Sequence, residues 1–208
     1  MDNTWPLSTQ RVGTVISAPV AYETYDHIRG VTSDSINWPN TGHLVSPNSF
    51  MGKLRNKTGL DTFDLPTEAQ WEYACRAGTT TVFNDGDPAA KVTGANAGTN
   101  SWLNPICVYR WHPQYFDMDG SVNVGLLKPN RWGLYDTLGN IYEWCLDWNG
   151  TLSGGTEPVG PTGGSARVLR GGSYRTYASE CISTYRRQDT PPGSGDRSEG
   201  LRIFRVVP

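Results

Sequence analysis

Residues 131 to 148 read RWGLYDTLGNIYEWCLDW, and the rest of the chain is best understood from there. Trp132, Trp144, Trp148, Tyr135 and Tyr142 stand among the acids Asp136, Glu143 and Asp147 and the glycines Gly133 and Gly139. This mixture suits neither a plain helix nor a plain strand, because glycine opens backbone conformations closed to other residues while the rings call for burial. A buried aromatic knot is expected, with Asn140 and Glu143 polar inside it and Ile141, Trp144 and Trp148 as apolar cover. A carboxylate buried there needs a partner, and either a nearby Arg or a bound metal ion would supply one.

Around this knot the chain of 208 residues is long enough for one sizeable core and shows no linker, so a single domain over 1–208 is expected. Its 24 Gly, 14 Pro and 8 Trp against 37% hydrophobic residues favour a loop-rich fold pinned by aromatic clusters over a helical bundle. A net charge of -2 gives no reason to expect nucleic acid as a partner. The opening MDNTWPLSTQ has neither a basic start nor an apolar run, so no signal peptide is expected in it, and no stretch is apolar enough for a membrane span. Cys75, Cys107, Cys145 and Cys181 form no CxxC pair, which points to isolated buried thiols, with one or two disulfides left open.

Along the chain, loops and short strands are expected up to about Asn40, including Val12 to Ile16 and Pro19 to Tyr25. Ser46-Pro47 has the form of a helix start, with Phe50, Met51 and Leu54 as its apolar stripe and Gly59 as its end. Thr67-x-x-Gln70 has the form of a capping box for a second helix presenting Trp71, Ala74 and Cys75, with Gly78 just past its end. Residues 79 to 130 alternate turn signals such as Asp85-Gly86 and Asp119-Gly120 with short runs, so little regular structure is expected there. Strands are expected at Ala166 to Leu169 and Leu201 to Val207.

Four motifs in order, DLPTEAQWEYACRAGTTT (64–81), WGLYDTLGNIYEW (132–144), RVLRGGSY (167–174) and GLR (200–202), resemble the formylglycine-generating enzyme and sulfatase-modifying-factor family. The resemblance is good over 47–208 and poor over the first 45 residues. It implies an α+β, C-type lectin-like fold in its formylglycine-generating-enzyme variant: two helices on a small, twisted antiparallel sheet with much irregular structure. It also implies structural calcium, held by the side chains of Asp136 and Glu143 and the carbonyls of Gly139 and Ile141, a set of oxygens that suits that ion. The competing reading is that Asp136 caps a turn and Glu143 pairs with an Arg. A second family calcium site would fall on Asn96 and Asp119, where the spacing is shorter than the family's.

The activity transfers less readily. The family's aerobic enzymes bind copper(I) through two Cys five residues apart shortly after GGS, a soft pair for a soft ion. Here Cys181 matches the second position and Thr176 stands at the first, so no copper is expected. Other enzymes of this fold use three His for iron; His27, His43 and His112 show no such arrangement.

The segment between Tyr174 and Gly200, YRTYASECISTYRRQDTPPGSGDRSEG, is polar and held at both ends by firm motifs, so it is free to face a ligand. Residues 165–208 hold eight Arg against four acids, an excess that suggests a basic face suited to acidic partners unless Arg167, Arg170, Arg202 and Arg205 are structural. The layout resembles the variable proteins of diversity-generating retroelements, whose diversified segment (here 167–202) lies at the C-terminus of this fold. Templated AAC codons mutated at adenine yield residues such as Arg175, Thr176, Tyr177, Ile182, Tyr185, Arg187, Asp189 and Thr190, but not Glu180 or Gln188. With Tyr174, those eight are the candidate contacts for a protein or other macromolecular ligand. A non-enzymatic binding protein is therefore expected; the alternatives are an oxidoreductase acting on a substrate cysteine through Cys181 and an unidentified partner, and an accessory domain without a ligand.

Overall fold

The computed structural model describes residues 21–30, 44–87, 100–116, 119–156 and 158–205. Their α-helices are α1 (Tyr25–Arg29), α2 (Phe50–Thr58) and α3 (Glu68–Arg76). Their strands are β1 (Phe63–Asp64), β2 (Tyr142–Trp148), β3 (Arg167–Arg170), β4 (Arg186–Thr190), β5 (Glu199–Gly200) and β6 (Phe204–Arg205), with a 3-10 turn at Ala178–Glu180.

The second helix forms as its sequence dictates. Thr67 Oγ1 accepts from Gln70 N, and Gln70 Oε1 accepts from Thr67 N, closing the expected capping box. Ala77, in the left-handed conformation, ends α3 one residue before the expected Gly78. The first expected helix starts later than Ser46. Ser46 O accepts from both N and Oγ of Ser49, which makes 46–49 a turn, and Ser49 caps α2 instead. The opening segment is corrected more strongly: Tyr25–Arg29 is a helix, capped by Thr24, with Tyr25 and Ile28 buried. Val12 to Ile16 lie outside the described residues.

The knot resolves into a turn region followed by β2, the centre of a four-stranded sheet ordered β4-β3-β2-β5. The pairs β2/β3 and β3/β4 are antiparallel, but β2/β5 is parallel, so the expected all-antiparallel sheet is mixed. The reason is the segment 191–198, which carries the chain from β4 at one edge to β5 at the other. A separate pair, β1 with β6, uses only Phe204–Arg205 of the expected terminal strand.

Side chains alternate along β2 and so divide the core. Tyr142, Trp144 and Leu146 join Tyr25, Ile28, Met51, Leu65, Leu169 and Leu201 in one cluster. Cys145 joins Trp71, Phe83, Leu103, Tyr109, Leu138 and Val168 in the other. On the α3 side, Asp147 Oδ2 accepts from Glu68 N at 2.5 Å, placing a carboxylate at the start of the helix where the dipole favours it. Arg167 and Arg170 are buried in this frame: Arg167 lies over the rings of Trp148 and Tyr25, and Arg170 contacts Glu68, Glu72 and two carbonyls. No helix among the described residues is long and apolar enough to cross a membrane.

Candidate functional site: the knot and the C-terminal segment

The carboxylate at the heart of the knot has an Arg partner. Arg202 Nε lies 2.8 Å from Glu143 Oε2, its Nη2 lies 2.6 Å from Oε1, and Trp71 Nε1 donates to Oε2 at 2.7 Å. Asp136 has positive φ and accepts from Gly125 N at 2.6 Å; burial raises its pKa, opposed by that hydrogen bond and by Arg202. Arg202 pairs directly with Glu143 and acts on the half-buried Asp136 only as a longer-range charge, so the Asp136 carboxylate is where an added cation would find its counterion. A calcium ion would be held by the Asp136 carboxylate with the carbonyls of Gly139 and Ile141, while Glu143 would have to share its oxygens with Arg202. The second family site finds no support in geometry: Asp119 is exposed and paired with Arg197, and Asn96 lies outside the described residues.

The nine candidate contacts split three ways. Arg175 and Asp189 are exposed, and Thr176, Tyr177 and Arg187 are half-buried. Tyr174 and Thr190 are buried, at 8% and 4% exposure. Ile182 packs on the Cys145 cluster and Tyr185 on the Trp144 cluster, where its hydroxyl donates to Glu180 Oε1 at 2.9 Å. The half-buried Tyr177 meets Arg110, whose guanidinium lies 5.4 Å from its ring and 5.6 Å from that of Trp111. Arg110 was not singled out by its sequence, since its segment reads only as irregular and the contact with Tyr177 is long-range.

The expected basic face is corrected. Arg167, Arg170 and Arg202 are buried, Arg186 pairs with Glu68 and Arg187 with Glu199. Arg175 and Arg197 face Asp196 and Asp119.

Thr176 and Cys181 sit together. Thr176 Oγ1 accepts from Ser173 N and donates to Ser173 O, each at 2.9 Å, and lies 3.4 Å from Cys181 Sγ. All four thiols are free and buried, and Cys107 and Cys181 lie in the same buried cluster as neighbours. Gly139 and Gly172, both at positive φ, make room for this pair, since a Cβ on either would collide with the sulfur of Cys107 or Cys181 respectively.

Helices, mixed sheet and long irregular segments define a C-type lectin-like domain in its formylglycine-generating-enzyme variant. The chain belongs to the sulfatase-modifying factor enzyme 1-like domain family, whose profile matches residues 30–207. It is 37% identical over 157 residues to the formylglycine-generating enzyme of Streptomyces coelicolor, covering 69% of this chain and 46% of that protein. Against the formylglycine-generating enzyme of Mus musculus it is 35% identical over 136 residues, covering 62% and 36%. The chain thus spans less than half the length of these curated relatives, whose names make the family an enzymatic one. Treponema denticola variable protein 1 superposes with a TM-score of 0.60 at 26% identity, covering 88% of this chain and 81% of that one. PvdO from Pseudomonas aeruginosa shares the fold, with a TM-score of 0.66 at 20% identity, covering 96% and 66%.

Proposed function

We propose that this chain is a binding protein that presents its C-terminal segment to a macromolecular ligand, as the variable protein of a diversity-generating retroelement, and does not oxidise cysteine. The observation that carries the reading is Thr176. It stands where the family resemblance puts the first copper thiolate, and its hydroxyl is tied to both backbone groups of Ser173 and to Cys181, so it serves as a structural link beside a segment whose residues 188, 189 and 193–195 are exposed. A hydroxyl is a poor ligand for copper(I). The likeness to Treponema denticola variable protein 1 over 88% of the chain supports the same reading.

The test is the DNA flanking the gene. A near-copy of the codons for residues 167–202, differing almost only at adenines and lying beside a reverse transcriptase gene, is the expected finding; its absence removes the retroelement reading.

One observation favours the oxidoreductase instead: Cys107 supplies Cys181 with a thiol neighbour. Burial holds the Cys107 thiol well above its ordinary pKa, and a protonated, enclosed sulfur is a poor nucleophile and metal ligand. Copper(I) titration separates the two readings. Stoichiometric binding lost on Cys181→Ser defeats the binding-protein reading.

A further inference from the structure

Between the edge strands β4 and β5 and the return segment that joins them lies an open cavity of about 200 Å³. Its lining includes Arg187, Asp189, Thr190, Ser194, Asp196 and Glu199. We infer that this cavity receives a cationic group of a protein ligand, the ammonium of a lysine or the guanidinium of an arginine. The inference rests on the reading that the C-terminal segment faces a ligand.

Two lining side chains are almost wholly buried and yet carry an oxygen without a partner: Thr190 Oγ1, in a residue 4% exposed, and Glu199 Oε2, in a residue 2% exposed. A buried acceptor left unpaired is costly, and since both oxygens are shielded from water, a donor in the cavity would relieve them by drawing the Thr190 and Glu199 side chains toward it. The charge balance says which donor. Arg187 is the one cation in the lining, and it is divided, with Nη1 3.2 Å from Glu199 Oε1 and Nε 3.2 Å from Asp189 Oδ1. Three carboxylates therefore line the cavity against Arg187 within it and Arg175 beside Asp196, an excess of one negative charge that favours a positive group over an anion.

The remaining acid is shaped for a rim. Asp196 Oδ1 is taken up by Ser198 N and Oγ, and its Oδ2 faces Arg175 at 4.0 Å. At about 30 Å³ per water, the volume accommodates the end of a lysine or arginine side chain. A coordinated metal ion is the weaker occupant, since no group of three His, Cys, Asp or Glu among the described residues is placed to hold one. The inference reverses the preference for acidic partners that the Arg count suggested, because most of those guanidinia are buried or paired.

The experiment is an NMR titration of the ¹⁵N-labelled chain with N-acetyl-lysine-N-methylamide, with the neutral N-acetylnorleucine-N-methylamide as control. The expected result is saturable shifts of the Ser194, Gly195 and Glu199 amides with the lysine probe at roughly millimolar concentration. Added salt should weaken them, and the norleucine probe should leave these amides unmoved. Glu199→Gln should weaken binding about tenfold, as loss of a charged hydrogen-bond acceptor does. Because Glu199 also holds Arg187, Thr190→Val and the exposed Asp189→Asn serve as second variants, each expected to weaken binding several-fold without disturbing the fold. Equal shifts with both probes, no saturation with lysine, or undiminished binding in the folded variants overturns the inference. If the lysine probe fails while an adenine-variant repeat flanks the gene, the cation pocket falls and the proposed function stands. If the probe saturates with no such repeat present, the pocket stands and the retroelement reading falls.

Discussion

Arg202 holds Glu143 by both carboxylate oxygens, and Trp71 donates to one of them, so the last family motif, the aromatic knot and α3 are joined at a single buried carboxylate. Breaking such a pair from one side leaves an uncompensated buried charge. Arg202→Met should therefore cost about 3–5 kcal/mol in a urea melt. Adding Glu143→Gln, which keeps an acceptor for Trp71 and removes the charge, should recover a large part of that loss. A double variant no more stable than Arg202→Met would show that the pair is not what Arg202 contributes.

Beside that pair stands Asp136, whose carboxyl feels Arg202 only at longer range. Calcium in excess should raise Tm and EGTA should reverse the rise, because an ion that binds only the folded state stabilises it by mass action. Asp136→Ala should abolish the response. A chain whose Tm ignores calcium would instead carry Asp136 protonated, or offset by Arg202 alone.

The capping box of α3 gives a prediction of modest size. Thr67 is buried and caps Gln70 N, so Thr67→Ala should cost about 1 kcal/mol, measured by chemical denaturation. Thr67→Ser should lose only part of that, since it keeps the hydroxyl.

Burial raises the pKa values of Glu68, Asp147 and Glu199. A carboxyl whose folded pKa lies above the unfolded one binds its proton more tightly in the folded chain, so its contribution is present at low pH and is lost as pH rises through the folded value. Asp196 works the other way. Despite burial, hydrogen bonds from Ser198 lower its pKa, so its contribution is lost as pH falls through that lowered value. Thermal melts should therefore show stability falling as pH rises from the ordinary carboxyl range, about 4, through the raised values of these acids. A rise over that range would mean that these acids are better compensated than their burial indicates.

All four thiols are buried, and burial pushes Cys75 up to about 11. Iodoacetamide at pH 8 should label none of them in the native chain and all four in denaturant, as read by mass spectrometry. Labelling of Cys181 under native conditions would show that the Thr176 link opens.

Much of the fold is legible in local chemistry. The capping box at Thr67, the stop at Gly59 and the order of the four family motifs each place an element without reference to distant residues. The knot also announces that Glu143 needs a partner, because burial of a carboxylate follows from the rings around it. The short helix at Tyr25 was not legible: its five residues are too few to show a helical period, and α1 is secured by packing of Tyr25 and Ile28 in the Trp144 cluster. Strand β4 was hidden for a related reason, since Arg186–Thr190 carries no apolar alternation and pairs at the sheet edge through its backbone.

What the sequence by itself determined is the family, the α+β class and the need for charge compensation inside the knot, because these follow from residue types and their local spacing. The tertiary structure alone decided that Arg202 is the partner of Glu143. It also decided that Arg167 and Arg170 are internal, and that Arg187, Thr190 and Glu199 line one cavity. These outcomes depend on which backbone segments cross. The crossing from β4 to β5 brings together side chains whose meeting is fixed by the sheet and not by any pattern along the chain.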